Sequence, residues 1–86
     1  MKVGILEIIR ESAQARKVLK IIYIEKDGSS EGWRYVEPYS FSHDNGENGL
    51  FAWDINKGGI RRFSLERIVD AEVTQDTYSD RYNVEI

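Results

Sequence analysis

The chain has no cysteine, one proline, one histidine and one methionine among 86 residues. Without cysteine, neither disulfides nor thiolate metal sites can staple the fold, and one histidine cannot supply a tetrahedral zinc set. Long apolar runs are also missing. The longest, Ile21-Ile22-Tyr23-Ile24, is far too short to cross a bilayer, and no signal peptide is visible. An excess of positive charge is absent as well. The net charge of −3 argues against tight, sequence-blind binding to duplex nucleic acid, which rests on many phosphate contacts. These absences lead us to expect a soluble, cytoplasmic protein with no membrane partner, no metal and no cofactor.

What is present is ordinary for a globular domain, with 41% hydrophobic and 31% charged residues. We expect one domain over residues 1–86. A chain this short buries roughly 60–65% of its unfolded surface, so a few large side chains carry the core. Residues 3 to about 15 have helical spacing: Ile5, Ile8, Ile9, Ser12 and Ala13 share a face, with Glu7, Arg10, Glu11 and Gln14 opposite. This helix is expected to cap the barrel end or to make a dimer contact.

From Val18 the period becomes strand-like. Val18 to Lys26 is apolar on both faces and ends in the Asp27-Gly28 turn. A second strand is expected from about Gly32 to Ser42. Ideal alternation there puts Trp33, Tyr35, Glu37, Tyr39 and Phe41 on one face, and Trp33, Tyr35 and Phe41 read as core aromatics. Pro38 cannot donate to a ladder and marks an edge or a bend. A polar connection follows at 43–49, then a third strand from Leu50 to Ile55, a turn at 56–59 and a fourth strand from Ile60 to Leu65. Leu65 to Ile68 is expected to close into a 3₁₀ turn, and Val69, Ala71 and Val73 alternate in a fifth strand. The pattern fits a mostly β fold with one N-terminal helix, a small SH3-like or Sm-like five-stranded barrel over about 18–75. Residues 76–86 read as a polar tail in which Tyr78, Tyr82, Val84 and Ile86 are apolar enough to dock.

Catalysis finds no footing. Ser42-His43-Asp44 holds the residue types of a hydrolase triad, but in an extended chain Ser42 and Asp44 face away from His43. His43 reads instead as a loop residue bonded to nearby backbone. Asp44 to Gly49 faintly resembles an EF-hand loop, yet the position that needs a bidentate Glu is Ile55. Asp27 and Glu31 sit in exposed turns, with nothing to desolvate them for acid–base work.

The most informative stretch is Ile60 to Ile68, where three arginines sit among apolar residues. In a strand, Arg61 shares a face with Phe63 and Leu65, while Arg62 faces the other way and is expected in solvent. A guanidinium held against apolar surface needs an anionic or planar partner. For Arg61 that partner is an internal carboxylate such as Glu66, or a ligand.

Val18 to Tyr23, Arg34-Tyr35-Val36-Glu37-Pro38-Tyr39, Leu50-Phe51-Ala52-Trp53 and Arg61 to Ile68 occur in an order that resembles the WYL-domain family of prokaryotes, over about residues 9 to 75. The Trp-Tyr-Leu tripeptide of the family falls at Asn48-Gly49-Leu50, so only Leu50 matches. The resemblance implies an SH3-like or Sm-like β-fold serving transcriptional regulation beside a DNA-binding or effector domain. It also implies a sensor for nucleic acid ends, single strands or nucleotide-like molecules.

On that basis Arg34, Arg61 and Arg67, at the family's recurrent arginine positions, are expected to line a ligand groove and fork onto phosphate or carboxylate oxygens. Tyr23 and Trp53 are expected to supply a stacking wall. The competing reading has Arg67 pairing with Glu37 or Glu66 and only pinning a turn. The functional expectation is a non-catalytic module recognising an anionic ligand, single-stranded nucleic acid or a nucleotide. The rival is a protein-interaction or homodimer module without a small ligand.

Overall fold

The computed structural model describes residues 4–44 and 46–86. Its helix α1 spans Ile5–Ala15 and is followed by strands β1 (Lys17–Tyr23), β2 (Trp33–Asp44), β3 (Glu47–Asp54), β4 (Gly59–Ser64) and β5 (Ile68–Thr77). A 3₁₀ turn, η1, occupies Leu65–Arg67 between β4 and β5. The expected helix start at residue 3, and Asn45 of the expected connection, lie outside the described residues. That connection is shorter than its polarity suggests, because β2 and β3 stay paired out to Asp44 and Glu47.

All ladders are antiparallel, in the order β4-β3-β2-β1-β5. The β-rich, one-helix fold is the one read from the sequence. The ladders do not close it into a barrel: among the described residues no pairing joins β4 to β5. The chain crosses between these two edges through η1, where the Arg67 carbonyl accepts the N–H of Ile24 at 2.9 Å.

One face of the sheet, the inner face, carries the main core. Leu19, Ile21, Val36, Leu50, Ala52, Phe63 and Ala71 pack there with Ile9 of α1. Burying a side chain of the Leu or Phe class contributes roughly 1.5–3 kcal/mol, so this cluster supplies most of the driving force. The helix presents Ile9, Ser12 and Ala13 to the sheet, as its spacing predicts. It stops at Arg16, which takes a left-handed conformation (φ 55°). That strained geometry is offset by the Arg16 guanidinium, which donates to the Ala13 carbonyl and pairs with Asp80 at 2.7 Å.

The outer face departs from ideal alternation at Pro38. Pro38 pairs with Ala52 but Ser40 with Phe51, so Tyr39 is an extra residue, a β-bulge. The side-chain phase therefore changes along β2. Phe41 pairs with Leu50 and turns to the inner core, while Tyr39 is buried on the outer face. Trp33 is half-buried and Tyr35 is exposed, which corrects their reading as core aromatics. Among the described residues the buried aromatics are Tyr23, Tyr39, Phe63 and Tyr78.

The bulge also explains the fate of the tail. The Tyr39 carbonyl accepts the Glu85 N–H at 2.7 Å, and the Pro38 carbonyl accepts the Tyr78 hydroxyl at 2.8 Å. Tyr78 and Val84 pack with Val18, Tyr39 and Trp53 in a second cluster on the outer face. Ile86 packs against the main core. The segment that reads as a polar tail is a strap across the sheet.

Candidate functional site

At the end of the inner face β1 runs out at Tyr23, and the chain turns through Glu25–Ser29. The Glu25 N–H donates to the Ser29 carbonyl (2.8 Å), and the Gly28 N–H to the Glu25 carbonyl (2.9 Å). Asp27 accepts bonds from the backbone and hydroxyl of Ser29, the self-capping that favours Asp in turns. Gly28 sits at φ 88°, a conformation its missing Cβ makes available.

Three arginines converge on this turn. Arg34 donates through Nη1 to Glu25 Oε2 (2.7 Å) and through Nη2 to Asp54 Oδ2 (2.9 Å). Arg61 donates through Nη2 to Glu25 Oε1 (2.7 Å). Arg67 donates to the Glu25 backbone carbonyl (3.1 Å) rather than to Glu37 or Glu66. Glu25, not Glu66, is the internal partner of Arg61. One carboxylate thus spreads its two oxygens over two guanidinium groups, and its backbone holds a third.

The aromatic side of the site is built from Tyr23 and Phe63, whose rings meet edge to face at 5.0 Å. Arg61 lies over both rings, 5.4 Å from the Tyr23 centroid and 5.1 Å from that of Phe63. Arg34 lies 5.3 Å from the Phe63 centroid. Such stacking contributes about 0.5–2 kcal/mol depending on desolvation. The Tyr23 hydroxyl accepts the Ser64 N–H, which fixes its ring. Glu25 ionises below its ordinary range, chiefly through the Arg61 hydrogen bond; partial burial opposes this and Arg34 adds to it. Burial works against the charge on Arg34, but its bonds to Asp54 and Glu25 outweigh that and raise its pKa.

These groups differ in access. Arg34 is 3% exposed and faces inward, whereas Arg61 retains 32% of its side-chain exposure. Arg61 borders an open concavity of about 460 Å³ lined by Tyr23, Glu25, Lys26, Asp27, Arg61 and Arg62.

Of the residues the sequence singles out, Tyr23, Arg34, Arg61 and Arg67 therefore come together. Trp53 does not join them. It pairs with Ile60 on the outer face, where Arg81 stacks over its ring at 4.4 Å and Tyr82 lies beside it. The register of β3 against β4 separates them, since Ala52 and not Trp53 stands opposite Arg61. Arg62 is not solvated as expected. Its guanidinium donates to Ser42 Oγ (2.8 Å) and the Glu47 carbonyl (2.9 Å), and approaches Asp44 to 3.3 Å. It lies over Gly49, whose position would otherwise hold the middle side chain of the family tripeptide. His43 contacts the Asn48 side chain rather than backbone.

The carboxylates were the part of the site not read from sequence, though both carry a signal. Glu25 continues the inward alternation Ile21, Tyr23, and Asp54 continues Leu50, Ala52, so each places a charge on a burying face. Among the described residues, no cluster of His, Asp and Glu is arranged to hold a metal ion.

The WYL domain family model matches residues 4–73. No curated protein sequence matches the chain. Among solved structures, proteasome accessory factor B/C (PafBC) of Arthrobacter aurescens is similar over 92% of this chain, with a TM-score of 0.77 and 19% identity. This chain spans only 13% of that protein's length, and at such identity the likeness speaks for the fold alone. With the family match covering most of its residues, including Tyr23, Arg34, Arg61 and Arg67, the chain belongs to the WYL domain family.

Proposed function

We propose that this WYL domain is a non-catalytic, ligand-sensing regulatory module of the cytoplasm that recognises an anionic ligand, single-stranded nucleic acid or a nucleotide, at the concavity beside Arg61. The observation that carries this reading is the state of Arg61. It is half-exposed, laid flat on two aromatic rings, and joined to one carboxylate that it shares with Arg34. In this reading Arg61 and Lys26 meet the ligand's oxyanion, and Tyr23 braces Arg61. Arg34 supplies buried positive charge from behind, and Arg67 fixes the turn that holds Glu25. Trp53 packs against the strap on the outer face and has no part in this site.

The test is a titration with short single-stranded oligonucleotides at low and moderate salt. Affinity should fall steeply as salt rises, and Arg61→Ala should weaken it by about tenfold or more, the scale of one charge-assisted contact. No binding at low salt would refute the reading.

A second reading, homodimerisation, has its own support. The helix and the tail both pack on this chain's own sheet. The outer face nevertheless leaves Tyr35 of β2, Phe51 of β3 and Ile60 of β4 exposed, with Ile55 exposed in the turn after β3. A concentration-independent mass near 10.0 kDa in light scattering would rule it out.

A further inference from the structure

Glu25 occupies the place where a ligand's oxyanion would sit. Its two carboxylate oxygens lie 2.7 Å from a guanidinium nitrogen of Arg34 and of Arg61, the geometry by which arginines hold phosphate or carboxylate oxygens. We propose that Glu25 is an internal stand-in for a phosphate monoester, and that binding of such a group expels its side chain and shifts the Glu25–Ser29 turn. This rests on the proposed function and names the ligand group and the response of that site.

Three observations support exchange rather than a permanent ion pair. First, the cradle does not need Glu25 for its shape. Arg34 is anchored from behind by Asp54 and stacked on Phe63, and Arg61 is stacked on Tyr23 and Phe63. Second, Glu25 has somewhere to go. It follows the last residue pairs of β1, its side chain is 28% exposed, and it borders the open concavity. Residues 26–32 beyond it are all exposed. Third, the turn is wired to the rest of the fold. Arg67 of η1 donates to the Glu25 carbonyl and accepts the Ile24 N–H, so movement at Glu25 reaches the junction of η1 and β5.

Charge selects the ligand group. Glu25 carries one negative charge and Asp27 adds another at the rim. A phosphodiester, with one charge, offers no advantage over the resident carboxylate. A phosphate monoester carries about −1.5 to −2 at neutral pH and three acceptor oxygens, enough to engage Arg61, Arg34 and Lys26 together. The same chemistry occurs at a phosphorylated strand end and on a free nucleoside monophosphate.

The experiment is calorimetric titration of the whole chain, as wild type, Glu25→Gln and Arg61→Ala. Three probes are used: a short single strand with a terminal phosphate, the same strand without it, and a nucleoside monophosphate. The wild type should bind the phosphorylated strand about tenfold tighter than the dephosphorylated one, and Glu25→Gln should tighten it by about as much again. Arg61→Ala should lose it. Comparable affinity for the mononucleotide assigns the site to free nucleotides, and binding of the strand alone assigns it to strand ends. If Glu25→Gln binds no tighter than wild type while Arg61→Ala still weakens binding, the stand-in is wrong and the anion site stands. If neither wild type nor Glu25→Gln binds any probe, the site itself is refuted and the stand-in falls with it. A measurement on the wild type alone guards against misfolding of the variant: the amide NMR signals of Glu25 and Gly28 must shift at saturation, and unchanged signals overturn the proposal.

Discussion

Arg34 and Asp54 form an ion pair at 2.9 Å in which the side chains are only 3% and 2% exposed. The pair sits where β2 meets the end of β3, and Asp54 also accepts the Lys57 N–H (3.1 Å) that shapes the turn into β4. Removing Asp54 deprives the buried guanidinium of one of its two close carboxylates and leaves it Glu25. Asp54→Ala should therefore lower unfolding free energy by about 1.5–3 kcal/mol, the scale of hydrogen bonds to a charged group, read as a reduced urea midpoint at unchanged slope. Replacing both residues by apolar side chains of similar volume should recover most of that loss.

Tyr39 makes stability sensitive to alkali. Its hydroxyl donates to Glu37 and accepts the Arg81 N–H, and burial, with the Glu37 contact adding and Arg81 opposing, pushes its pKa from 10.0 up to about 12. Tyr78 is shifted the same way by burial. Since the folded pKa lies above the unfolded one, the stabilisation is complete below pH 10 and is lost as pH rises through about 12. Melting temperature should hold up to pH 10 and then fall. Tyr39→Phe should flatten that fall while costing about 1 kcal/mol at neutral pH for the lost hydrogen bonds.

Gly49 and Arg62 are coupled. A Cβ at position 49 would meet the Arg62 Cζ at 2.5 Å, so the guanidinium must leave its bonds to Ser42 and the Glu47 carbonyl. Gly49→Ala alone should cost about 0.5–1.5 kcal/mol. In an Arg62→Ala background it should cost little or even stabilise, because alanine is stiffer than glycine in a strand. A double-mutant cycle in denaturant measures the difference.

Ser64 Oγ is buried and has no hydrogen-bond partner among the described residues, although its N–H is bound by Tyr23. Ser64→Ala removes an unpaired polar atom and leaves that backbone bond in place. Stability should stay level or rise by up to about 1 kcal/mol in thermal unfolding.

Local pattern carried most of the fold. The helix, the Asp27-Gly28 turn, the 3₁₀ turn that begins at Leu65 and the inward alternation of Arg61 and Phe63 are all visible in spacing, because each depends on neighbours within a few residues. What escaped depends on distant partners. The bulge at Tyr39 is signalled only by Pro38, and the strap becomes intelligible once the bulge's carbonyls need donors from residues some forty positions away. Arginine positions were legible from the family likeness, but their carboxylates were not, since Glu25 and Asp54 meet Arg34 only through strand pairing. Trp53 was misplaced for the same reason: its chemistry suits a stacking wall, while the register of β3 against β4 sends it to the other side.

The single extra residue at Tyr39 has a consequence for redesign. It acts as a half-step in the pleat, so the stretch before it and the stretch after it answer to opposite parities. Deleting that residue would leave Ser40 opposite Phe51 and Phe41 opposite Leu50 in an unbroken ladder, so Phe41 would stay inside while the clasp that receives the chain's last nine positions would lose its buried ring and its carbonyl. At this one position in the long hairpin a single amino acid separates two differently dressed surfaces.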